Sequence, residues 1–90
     1  MAMTAIKVKI MPASLEASIE EIREKARKVL EEKGAKNISF EIEEIAFGLK
    51  ALITTLAWPE NLDTEEITST LEKIEDVSSA SIIDYRRAFG

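Results

Sequence analysis

Ninety residues, 46% of them hydrophobic and 32% charged, describe one soluble globular domain, neither a disordered chain nor a membrane-spanning one. With no Cys and no His, the chain has no disulfides, thiolate chemistry, imidazole acid–base catalysis or ordinary zinc ligand set. The net charge of −5 opposes a nucleic-acid partner, and the lack of a long apolar run or signal-peptide pattern makes the cytoplasm the expected location.

The first predicted element is a strand in which Ile6, Val8 and Ile10 alternate with Lys7 and Lys9. Met11-Pro12 ends it, because Pro lacks the ladder donor and restricts the residue before it. A helix follows. Ser18 with Glu21 has the form of a capping box, although Ser14 is compatible with an earlier start. Ile19, Ile22, Ala26, Val29 and Leu30 form the stripe to be buried, and Gly34 is the stop signal.

A second strand sets Ile38, Phe40 and Ile42 against Ser39, Glu41 and Glu43. The third, from Leu49 to about Trp58, is apolar on both sides in places, which suits a central position. Asp63 is placed to cap a second helix, with Glu66 completing a box and Leu62–Ile67 set for a hydrophobic staple. Ile67, Leu71 and Ile74 supply its core face. The last strand runs from Val77 to about Tyr85, with Ile82 and Ile83 on opposite faces.

The order is βαββαβ, with no repeat or linker to mark a second domain in residues 1–90. Two right-handed crossovers then interleave into an α+β ferredoxin-like sandwich, a four-stranded antiparallel sheet of order 4-1-3-2 with both helices on one face. The open face is expected to carry Lys7, Lys9, Ser39, Glu41 and Glu43, without the aromatic pair that stacks RNA bases.

Two stretches do not fit the bare fold. The second and third strands turn through Phe47-Gly48, where small polar residues such as Asn-Gly are usual. Phe47 either folds back as a plug on the core or projects from a rigid scaffold as a binding residue. The other oddity is Tyr85-Arg86-Arg87-Ala88-Phe89, two adjacent Arg flanked by aromatics in an acidic protein. It reads as a local binding spot or as a frayed basic end.

Covalent chemistry finds little support. Glu16–Glu20 and Glu20–Glu24 belong to a solvent face, Gly34, Gly48 and Gly90 form no phosphate loop, and Ser14 and Thr54 lack a base. No metal or cofactor is expected.

Three blocks together resemble a known family: Ile6-Lys7-Val8-Lys9-Ile10-Met11-Pro12, Ile45-Ala46-Phe47-Gly48-Leu49-Lys50-Ala51-Leu52, and Ile74-Glu75-Asp76-Val77. The chain is similar, in order and over essentially its whole length, to archaeal elongation factor 1-beta. Eukaryotic relatives carry a Phe-Gly-Ile-Lys-Lys-Leu block, and Ala51 stands here in place of the second Lys. The resemblance implies guanine-nucleotide exchange on elongation factor 1-alpha, the GTPase that delivers aminoacyl-tRNA. It implies that Phe47 packs into a pocket on the GTPase. It also implies that a C-terminal cation enters where Mg²⁺ and the phosphates sit. Counting from Val77, that position falls on Arg87, with Arg86 as the alternative; Arg for Lys changes a point charge to a planar fork. A cation there, with Phe47 wedging elements nearby, would favour a state that holds nucleotide poorly.

The residues expected to touch the partner are thus Phe47, Gly48, Lys50, Arg86, Arg87 and Phe89, on a protein that is monomeric when free. The competing reading is a small-ligand-sensing or protein-interaction domain of the same fold, dimerising through its open sheet face.

Overall fold

The computed structural model describes residues 3–87, the last by its backbone alone. The elements are β1 (Met3–Pro12), α1 (Ile19–Glu32), β2 (Lys36–Ala46), β3 (Leu49–Pro59), α2 (Glu65–Glu72) and β4 (Val77–Arg87). They pair antiparallel in the order β2-β3-β1-β4, the expected ferredoxin-like topology.

The period-2 pattern sets which side of the sheet each residue takes. Ile6, Val8 and Ile10 of β1 lie opposite Leu56, Thr54 and Leu52 of β3, and all are buried beneath the helices. From α1, Ile22, Ala26 and Leu30 complete this core, with Ile19 and Val29 at its margin. Ile67, Leu71 and Ile74 enter it from α2 and the turn after it. Trp58 is its largest buried side chain.

The helix ends follow local chemistry. Glu21 N donates to Ser18 Oγ at 3.3 Å, so the cap is Ser18 rather than Ser14. At the other end Gly34 takes φ +103°, Gly34 N donates to Glu31 O and Ala35 N to Leu30 O, the paired bonds of a Schellman stop. At the second helix Asp63 caps as expected: Asp63 Oδ1 accepts from Glu65 N at 2.9 Å, whereas Thr64 makes no side-chain capping bond. Glu66 Oε1 lies 4.0 Å from Lys33 Nζ, so this carboxylate faces the end of α1.

Two further differences concern the sheet edges. Ile42 shares its face with the half-buried Ile38 and Phe40 yet remains exposed, since β2 is an edge strand and the hairpin carries Ile42 away from the core. The last strand extends past Tyr85: Arg86 and Arg87 pair with Ala5 and Thr4 of β1, so they belong to the ladder and are not a frayed end. A bulge between Lys7 and Val8 in that pairing leaves the extra residue Ile83 turned outward beside the inward Ile82.

On the open face, Glu41 and Lys9 flank Ile53 and Ser39 and Lys7 flank Thr55. Ile53 is nonetheless buried, as expected where long polar side chains lay their aliphatic stems over it. The face is the mixed-charge surface expected, with no aromatic in these rows.

Candidate functional site

Ala46 pairs with Leu49, so Phe47 and Gly48 alone make the turn between β2 and β3. Their φ angles are +52° and +82°, both in the left-handed region, as a type I′ hairpin requires. Gly adopts that region freely, whereas an L-residue there costs about 1–2 kcal/mol. A Phe at the first position is therefore a strained choice. Burial does not offset the strain, because Phe47 is 99% exposed. The side chain projects; it is no plug. An aromatic held in a sparse backbone region and left unpacked points to a contact made outside the chain.

Gly48 owes its identity to this backbone, since a Cβ added there would meet nothing within 4 Å. Lys50 lies opposite Glu44 in the ladder and lines a cleft between the hairpin and the β1–α1 loop, shared with Pro12, Ser14, Leu15, Ala17, Ile19, Gly48 and Leu49. That loop is tied down by Ala13 N donating to Asp76 O at 2.7 Å and Ala17 N to Ser14 O at 3.3 Å. Ala51 is fully buried, so the position where eukaryotic relatives carry a second Lys is packed into the sheet here.

The C-terminal residues stand elsewhere. Leu49, beside the hairpin, begins β3, whereas Trp58 near its end lies opposite Thr4, which on its other side pairs with Arg87. At about 3.3 Å per residue the hairpin and the C-terminal end of β4 are roughly 30 Å apart, in a molecule whose long dimension is 41 Å. The structure does not bring Phe47 and Arg87 together: they stand toward opposite ends of the sheet. The antiparallel ladder itself imposes the separation, since β4 starts at the hairpin end and finishes at the far one. Arg86 is largely exposed, with Nε 3.4 Å from Asp84 Oδ2, and Asp84 Oδ1 also accepts from Tyr85 N at 2.9 Å. The side chain of Arg87 and the whole of Phe89 lie outside the described residues.

Sequence reasoning missed Leu15, which is 67% exposed on the rim of the cleft beside the hairpin. A signal was present: Leu15 is an apolar residue in a Ser/Ala-rich loop that fits neither the alternation of β1 nor the stripe of α1. The carboxylates on the first helix remain exposed, and among the described residues no group of three or more Asp and Glu side chains is gathered to hold a metal ion.

Residues 5–87 match the EF-1 guanine nucleotide exchange domain family. The chain is 39% identical over 83 residues to elongation factor 1-beta of Haloarcula marismortui, covering 91% of this chain and 93% of that protein. It is 37% identical over 84 residues to elongation factor 1-beta of Staphylothermus marinus, covering 91% and 92%. With elongation factor 1-beta of Nanoarchaeum equitans it shares 34% identity over 82 residues, covering 90% and the whole of that protein. The hairpin with its strained Phe-Gly turn and the extended basic β4 both lie inside the matched span, and the chain belongs to the EF-1 guanine nucleotide exchange domain family.

Proposed function

We propose that residues 1–90 form a single exchange domain that binds elongation factor 1-alpha in the cytoplasm and speeds release of its GDP, with no covalent step and no cofactor. The observation that carries this is Phe47, fully exposed and held at φ +52° on the hairpin that bears the family's Phe-Gly-Leu-Lys block. Family membership supports elongation factor 1-alpha as the partner.

The 30 Å span between hairpin and basic end makes this a two-handed contact. Phe47, Gly48 and Lys50 dock at one place on the GTPase, and Arg86, Arg87 and Phe89 act at another, where a cation enters the Mg²⁺ position and disrupts the metal's contacts with the phosphates. Nucleotide affinity on such GTPases rests on those Mg²⁺ and phosphate contacts. A factor that prefers the empty state lowers nucleotide affinity by the same factor by which nucleotide lowers its own. The hairpin supplies binding energy and orientation, and the basic end supplies the displacement. The sheet holds the two at a set distance, so little ordering is needed on docking.

The test is release of labelled GDP from elongation factor 1-alpha with catalytic amounts of the protein. Wild type accelerates release. Phe47→Ala raises the concentration needed for half-maximal effect, whereas Arg87→Ala, or Arg86→Ala if that residue is the one inserted, lowers the maximal rate. Unchanged release with both Phe47→Ala and the double Arg86→Ala/Arg87→Ala variant would remove the assigned roles.

A further inference from the structure

We infer that the cleft beside the Phe47 hairpin is a second half of the docking surface, a socket for one apolar side chain of the GTPase, with Leu15 as its specificity-determining rim. The inference rests on the exchange-factor reading above.

Three observations converge on it. First, the cleft is walled by both the hairpin and the β1–α1 loop, with Gly48, Leu49 and Lys50 on one side and Pro12, Leu15 and Ile19 on the other. It is therefore continuous with the turn that presents Phe47, and whatever packs on that ring meets the cleft at the same time. Second, at about 50 Å³ the cleft is far smaller than the about 300–1,000 Å³ of small-molecule sites and has room for no more than a small side chain. Third, the loop is held in place. Ala13 N donates to Asp76 O at 2.7 Å and Ala17 N to Ser14 O at 3.3 Å, so the socket exists before the partner arrives. Leu15 remains 67% exposed on this anchored loop, whereas the neighbouring Ile19 packs against the core. An apolar projection and an adjoining hole are the paired features of interface hot spots, where one partner's anchor fills the other's pocket. Lys50 is an exposed cation among otherwise mostly apolar lining residues, which favours an apolar occupant flanked by a carboxylate or a backbone carbonyl.

The experiment measures the dissociation constant of the full chain for nucleotide-free elongation factor 1-alpha, at low and at high salt. Leu15→Asp weakens binding about fivefold or more, the size expected of a hot-spot contact, at both salt concentrations. Leu15→Met restores wild-type affinity, and Ser14→Trp, which fills the socket from its exposed wall, weakens binding as Leu15→Asp does. Thermal unfolding of each free variant confirms the fold, which the exposure of both positions makes safe. Affinity within about twofold of wild type for Leu15→Asp overturns the inference; if Phe47→Ala still weakens binding, the exchange reading stands without it. A wild-type chain that neither binds the GTPase nor speeds GDP release removes both. A dimer of the free wild type that Leu15→Asp dissociates assigns the socket to a second copy and overturns it as well.

Discussion

Replacing Phe47 by Asn is expected to make the free protein more stable and the exchange factor worse. The turn needs positive φ at both central residues, and Phe47 supplies +52° at a cost of about 1–2 kcal/mol that Asn largely avoids. The ring is 99% exposed, so its removal forfeits almost no buried apolar surface in the free protein. The net gain is about 1 kcal/mol, which for a chain this short raises Tm by about 4–8 °C. Two controls separate the causes. Phe47→Ala keeps the strained backbone and changes stability little. Phe47→Gly relieves the strain but adds freedom to the unfolded chain, and falls between the two. Urea unfolding followed by circular dichroism measures all three, with an unchanged m-value showing that only stability moved. In the GDP-release assay all three lose the aromatic anchor, at about 2 kcal/mol or a thirtyfold weaker docking. A Phe47→Asn variant less stable than wild type would show that the ring packs on the protein and that the strain argument is wrong. One that is more stable yet fully active would show that the ring is no anchor.

Three further outcomes follow from the same geometry. Gly48→Ala introduces a Cβ into open space, so its loss of about 1–2 kcal/mol in urea unfolding comes from the +82° backbone alone. Trp58 is the largest fully buried side chain, and Trp58→Ala costs about 3–5 kcal/mol. With domain stabilities of about 5–15 kcal/mol, a calorimetric scan of that variant shows a much lowered or missing transition. The hydroxyl of Thr54 is buried without a hydrogen-bond partner among the described residues. Thr54→Val keeps the β-branched shape and removes an unpaired polar group, so the thermal midpoint rises, by about 1 kcal/mol in stability terms; a fall would mean the hydroxyl is satisfied in solution.

Much of the architecture was legible in the chain, because its causes are local. Alternation along Ile6–Ile10, the stripe Ile22, Ala26 and Leu30, the Ser18 cap and the Gly34 stop each depend on neighbours within a turn or a strand. Where the reading slipped, the cause was distant. Glu66, expected to complete a capping box with Asp63, turns instead to Lys33 at the end of the other helix. Arg86 and Arg87 join the sheet because Thr4 and Ala5, at the other end of the sequence, offer them ladder partners.

The candidate site divides the same way. Composition and spacing alone determined that the chain has no thiol or imidazole chemistry, that it folds as βαββαβ, and that Phe47 is the wrong residue for an ordinary turn. Only the tertiary structure decided that Phe47 points out at a left-handed φ, that Leu15 stands beside its hairpin across a cleft, and that the basic end lies about 30 Å away at the far edge of the sheet. The reason is the period of the signals. Alternation and helical spacing say which side of an element a residue takes, whereas the end of the sheet it reaches depends on strand order and register, which long-range pairing sets.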